Sequence, residues 1–83
     1  MMTIHDLLTK IKWDKSEKPE EYVFLYYDRL EDNLKELTFT QIKSIQHDFL
    51  SVDIDGELVD IPLHRIKKVR RKGRTIWERP VSF

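Results

Sequence analysis

Six aromatic, β-branched or aliphatic residues in a row, Tyr22 to Tyr27, constrain this chain more than any other stretch. Successive side chains of a strand point to opposite faces, so Tyr22, Phe24 and Tyr26 share one face and Val23, Leu25 and Tyr27 the other. Both sets are apolar, which suits a strand covered on both sides. One set is expected to meet a helix. The other needs a second cover, either a curled sheet or a ligand.

The helix is legible upstream. Thr3-Ile4-His5-Asp6 has the spacing of a capping box, with Asp in place of the usual Glu. Ile4, Leu7, Leu8 and Ile11 then recur at i, i+3, i+4, i+7, one helical face. A helix of about ten residues does not hold alone, so this stripe must dock on the sheet. Trp13 ends the helix or packs just past it. Asp14 to Glu21 is polar, contains Pro19 and reads as a surface loop. It joins helix to sheet, so the 83 residues make one domain over 1–83, with helix about 3–13 and sheet about 22–78.

Downstream the chain turns back on itself repeatedly. Leu30 to Asn33 is a turn, and Leu34 to Phe39 a returning strand. Glu36–Ile45 then aligns with Asp60–Val69 at an offset of 24 residues, Phe39 on Leu63, Ile42 on Ile66 and Lys43 on Lys67. Each copy reads as strand, one tight helical turn, strand. Pro62 suits the first position of such a turn because its φ is fixed. Asp55-Gly56 is a favoured pair for a type I′ hairpin, which places Leu50, Val52 and Ile54 on a face with Ile61, Val59 and Glu57. Lys72-Gly73 predicts a last hairpin, with Arg71 opposite Arg74, Val69 opposite Ile76 and Lys68 opposite Trp77. Val69 and Ile76 would then face inward, and Lys68, Arg70 and Trp77 outward. The like charges on Arg71 and Arg74 repel, and a bound anion is the expected remedy. The fold expected is α+β: an N-terminal helix packed on a bent antiparallel sheet of five to seven short strands, with closure into a small barrel as an alternative.

Composition removes several function classes. The absence of cysteine excludes disulfides, thiolate zinc sites and cysteine nucleophiles, and suits a reducing, cytoplasmic setting. No apolar run approaches the roughly 20 residues of a membrane helix, so no membrane partner is expected. His5, His47 and His64 lack metal-ligand spacing, and the two glycines are isolated, so neither a metal nor another cofactor is expected.

The zero net charge hides a division. Residues 1–41 hold six Lys/Arg against nine Asp/Glu, and residues 42–83 hold nine against six. Seven of the latter cations lie within 64–74, a segment without an acid. Such a run attracts polyanions, or blunts an exposed strand edge. His64-Arg65 on a tight turn has the chemistry to grip a phosphate; a capping histidine beside a solvated arginine is the plainer reading. Trp77 among cations suits a stacking ring for RNA, a cation–π pair or a cover for the sheet. Trp13, Tyr26 and Tyr27 are further aromatics, expected in the core before a stacking platform. A phosphoesterase using His5 and His64 as acid and base stays open, as does a protein-interaction module using the basic hairpin.

TIHDLL…IKW near the start, YYDR, and IPLHRIKKVRRKGRTIWER at the end together closely resemble a small archaeal family first catalogued as uncharacterised. The resemblance covers about residues 2–79. It implies a domain, also found fused to RNA-processing enzymes, that is proposed to recognise RNA ends bearing a cyclic phosphate in RNA repair or processing. It implies non-catalytic RNA binding, with an RNA-processing protein as a further partner, and leaves the oligomeric state open. The polar positions it implies for RNA and phosphate are His5 with Asp6, Asp28 with Arg29, His64, Arg65, Arg70, Arg71, Trp77 and Arg79; Lys68 joins them from the face assignment above.

Overall fold

In the computed structural model, which describes residues 3–79, helix α1 spans Ile4–Trp13. Thr3 caps it, its hydroxyl accepting the Asp6 N–H at 3.1 Å. Ile4, Leu7, Leu8 and Ile11 are all buried, and burying each such side chain contributes roughly 1.5–3 kcal/mol. Trp13 is instead 72% exposed, which corrects the expectation that it packs into the core.

Seven strands follow: β1 Tyr22–Asp28, β2 Asn33–Thr38, β3 Ile42–Ile45, β4 Phe49–Ile54, β5 Glu57–Pro62, β6 Ile66–Arg71 and β7 Arg74–Glu78. They form two antiparallel sheets, ordered β2-β1-β6-β7 and β3-β4-β5, and the barrel alternative is not realised. The predicted repeat is present and has a structural meaning. One 3-10 turn, Phe39–Gln41, carries the chain from β2 in the larger sheet to β3 in the smaller. Its partner, Leu63–Arg65, carries it from β5 back to β6. A third turn of the same kind, Pro19–Glu21, leads into β1. In each turn the residue that opens the next strand (Tyr22, Ile42 or Ile66) donates its N–H to the turn's first carbonyl.

The core lies between α1 and the inner faces of both sheets. Tyr22 and Phe24 from β1, Leu37, Leu50, Val52, Ile61, Ile66 and Val69 meet the helix stripe there. Phe24 is completely buried, with the Phe39 ring 6.2 Å away between centroids. On the other face of β1, Leu25 is also buried, while Val23 and Tyr27 stay partly open.

Both two-residue hairpin loops are as expected. Asp55 and Gly56, and likewise Lys72 and Gly73, take positive φ, the type I′ geometry that matches strand twist. The register of the last hairpin differs. Arg71 pairs with Arg74 and Arg70 with Thr75, but Val69 then pairs with Trp77 and Lys68 with Glu78. Ile76 is the extra residue of a bulge, and a one-residue slip exchanges the faces beyond it. Trp77 therefore packs against the core and Ile76 is 47% exposed, the reverse of the sequence expectation.

At Arg71 a carboxylate of the protein itself meets the charge. Glu21 accepts from the Arg71 guanidinium at 3.2 Å and sits 3.2 Å from the Lys72 ammonium. The Lys72 ammonium foremost, with Arg71, holds the Glu21 carboxyl below its ordinary value of 4.5 against the opposing effect of burial. The stabilisation is thus present above pH 4.5 and is lost as the pH falls through the lowered folded-state value. Glu21→Gln should melt below wild type at pH 7, with the gap narrowing in high salt and closing in acid. A gap unchanged by acid would show that the pair does not stabilise the fold.

Candidate functional site

A cleft of about 310 Å³ opens where the β1–β2 hairpin faces the β4–β5 hairpin. Tyr26, Tyr27 and Asp28 reach it from the end of β1, and Arg29 and Leu30 from the turn that follows. Lys35 comes from β2, Ile54 from β4, and Val59, Asp60 and Ile61 from β5. Arg65 comes from the 3-10 turn that crosses between the sheets. Two sequence segments 36 positions apart, the YYDR strand end and the His-Arg turn, thereby line one cavity.

The cations of this lining are not equivalent. The Lys35 ammonium lies 2.9 Å from Asp28 and 3.1 Å from Glu31. Hydrogen bonds to those carboxylates push its pKa up to about 12, and the same contact, with the Leu30 and Glu31 backbone N–H groups, holds Asp28 low. Lys35 is consequently a fixed, neutralised cation. Arg29 and Arg65 make no hydrogen bond or ion pair with another described residue, and Arg65 is half-buried. Asp60 accepts the Ser51 hydroxyl at 3.0 Å and stands in no ion pair with another described residue. The lining thus carries three cations against two carboxylates. Burial raises the Tyr26 phenol and a hydrogen bond to Asp32 raises that of Tyr27, so both rings are neutral at physiological pH.

A β-bulge helps set this geometry. The β1–β6 register slips between Leu25 and Tyr26, so that Leu25 pairs with Lys68 and Tyr26 with Ile66. Lys67 is the extra residue, and its ammonium reaches back to the His64 carbonyl at 3.0 Å. Arg79 braces the same turn: its guanidinium donates to the Leu63 carbonyl at 3.0 Å and the Ile66 carbonyl at 3.1 Å. That guanidinium also lies 5.3 Å from the centre of the Trp77 ring. Trp77 and Arg79 consequently support the turn that carries His64 and Arg65.

Of the eleven sequence candidates, the cleft brings together Asp28, Arg29 and Arg65. His64 is exposed beside it, outside the lining. Lys68 pairs with Glu78 at 3.3 Å and Arg71 with Glu21, while Arg70 is exposed on β6. His5 lies on α1 with its ring 6.2 Å from that of His47, a neighbour the sequence did not suggest. Sequence reasoning missed Lys35 and Asp60; it expected Tyr26 and Tyr27 in the core, and Tyr26 does pack against it while also lining the cleft. The signal available for the tyrosines was their position immediately before Asp28-Arg29, which puts them at a strand end rather than mid-sheet.

Among the described residues no group of three or more His, Cys, Asp or Glu is placed to hold a metal ion. No helix among them is long and apolar enough to cross a membrane.

Comparison with known proteins agrees with the motifs. A UPF0248 protein of Saccharolobus solfataricus is 38% identical over 81 residues, covering 94% of this chain and 98% of its own. A UPF0248 protein of Saccharolobus islandicus is 36% identical over 81 residues, covering 94% and 100%. One from Metallosphaera sedula is 36% identical over 81 residues, covering 98% and 97%. No solved structure gives a significant match. The profile of the MJ1316 RNA cyclic group end recognition domain matches residues 1–79, and with these archaeal relatives it shows that the chain belongs to that family.

Proposed function

We propose that this protein binds RNA at a phosphorylated 3′ end, and a cyclic phosphate in particular, with the terminal nucleotide in the cleft between the two hairpins. The observation that carries the reading is the pair Arg29 and Arg65. Two guanidiniums without carboxylate partners among the described residues border one cavity, and the planar guanidinium fork suits phosphate oxygens. The volume lies at the lower end of the range for small-ligand sites, which fits a nucleotide rather than a longer segment. Tyr26 and Tyr27 offer ring faces for a base or ribose, and Asp60 an acceptor for a base amino group.

Charge favours the cyclic form. An open phosphomonoester carries roughly 1.5–2 negative charges near neutrality, whereas a cyclic diester carries one. Beside Arg29 and Arg65 stand the Asp28 and Asp60 carboxylates, which disfavour a second negative charge on the ligand. Ile54, Val59 and Ile61 add an apolar wall that suits the less hydrated diester. The role is binding without turnover. His64 at the margin hydrogen-bonds the backbone phosphate, and Arg70 adds a salt-sensitive contact outside the cleft. The setting is RNA processing or repair in the cytoplasm, alongside an RNA-processing protein.

Amide chemical shifts on addition of a short oligonucleotide with a 2′,3′-cyclic phosphate test the location. The shifts should concentrate at Tyr26–Leu30, Lys35, Asp60 and Arg65. A footprint confined to the β6–β7 hairpin would move the site to the basic run and refute the cleft. Affinity should also fall steeply with salt, as phosphate contacts require.

A further inference from the structure

We propose that Trp13, with Lys12 and Lys43, forms a second contact for single-stranded RNA, on which a nucleotide upstream of the bound end stacks. This rests on the RNA-end reading above and extends it from one nucleotide to a strand. Trp13 is the last residue of α1 and leaves 72% of its surface in solvent, apart from the core. The Lys12 ammonium lies 5.3 Å from the centre of its ring. Lys12 also borders a shallow groove of about 70 Å³ with Phe39, Ile42, Lys43, Ser44 and Ile45. Lys43 is exposed and is the extra residue of the β3–β4 bulge. Neither lysine has an ion-pair partner among the described residues.

An open indole, two unneutralised ammonium groups and an apolar groove form one surface. An acidic peptide would satisfy the lysines and leave the ring uncovered. A nucleotide uses both, because its base stacks on the ring while its phosphate meets a lysine. The helix gains nothing internal from Trp13, since its buried stripe ends at Ile11. The molecule measures 36 × 34 × 26 Å. A stacked strand rises roughly 3.4 Å per nucleotide, so about 12 nucleotides cover roughly 40 Å, more than the longest dimension of the molecule.

The test uses two ligands, a nucleoside 2′,3′-cyclic monophosphate and a dodecamer RNA with the same end, against Trp13→Ala, Trp13→Phe and Arg65→Ala. Trp13→Ala should weaken the dodecamer at least about fivefold and leave the mononucleotide unchanged. Trp13→Phe should keep most of the affinity, because a ring remains. Arg65→Ala should weaken both ligands. If Trp13→Ala leaves the dodecamer untouched, or weakens both ligands equally, the second contact is refuted while the end reading stands on Arg65. If Arg65→Ala spares the mononucleotide, the end reading fails instead, and loss of the dodecamer alone in Trp13→Ala would still uphold the second contact. An acidic protein that binds this face in place of the dodecamer would also overturn the proposal.

Discussion

Replacing Arg65 by alanine is expected to weaken binding of a cyclic-phosphate RNA end by about ten- to a hundredfold. A hydrogen bond to a charged group contributes roughly 1.5–3 kcal/mol, and each 1.4 kcal/mol is a factor of ten in affinity. The fold should tolerate the change, since the Arg65 side chain makes no hydrogen bond or ion pair within the described protein. Only the packing of its partly buried stem is lost. Arg65→Lys should recover part of the affinity, because an ammonium keeps the charge but not the two-pronged fork. Arg70→Ala serves as the contrast. Arg70 lies on the exposed hairpin face, and its loss should lower affinity slightly, mainly at low salt. Equal losses from the two arginines, measured by titration at one ionic strength, would mean a diffuse basic surface instead of a cleft.

Phe24→Ala should be the most damaging single substitution for the fold. Phe24 is completely buried at the centre of β1, paired with Leu37 on one side and Val69 on the other. Truncating a buried phenylalanine costs about 3–5 kcal/mol in lost burial and residual cavity. Folded domains hold only about 5–15 kcal/mol in total, and a chain of this size sits toward the lower part of that range. The variant should be largely or wholly unfolded at physiological temperature, as read by denaturant titration. Leu34→Ala on β2 should change stability little, because Leu34 is already 45% exposed.

The elements were legible where local chemistry decides them. The Thr3 cap and the Ile4–Ile11 stripe define α1, the apolar run defines β1, and the Asp55-Gly56 pair defines its hairpin. The matching stretches Glu36–Ile45 and Asp60–Val69 marked the two corners. What the sequence did not convey is where the sheets part, since both corners read the same whether one sheet curls or two separate. The bulges were also hidden. Nothing local marks Ile76 as the residue to be extruded, yet that slip turns Trp77 inward and gives it to Arg79 and the core. The partners of the charge run were hidden for a related reason. Glu21 and Glu78 meet three of its cations, Arg71, Lys72 and Lys68. Glu21 lies 50 residues from Arg71 in the chain, beyond any local reading. Arg29 stood alone in an acidic half of the sequence. The resemblance grouped it with Arg65, and the fold gives the physical reason by bringing both to one cleft.

The central claim is that the cleft holds an RNA end by its cyclic phosphate. It is tested most directly by comparing three oligonucleotides of one sequence that end in a 2′,3′-cyclic phosphate, an open 3′-monophosphate and a 3′-hydroxyl. The cyclic end should bind most tightly, the monophosphate less so, and the hydroxyl at the level of general backbone contacts. The differences should vanish in Arg65→Ala. Equal affinity of the wild-type protein for all three ends would contradict end recognition, whatever the strength of binding.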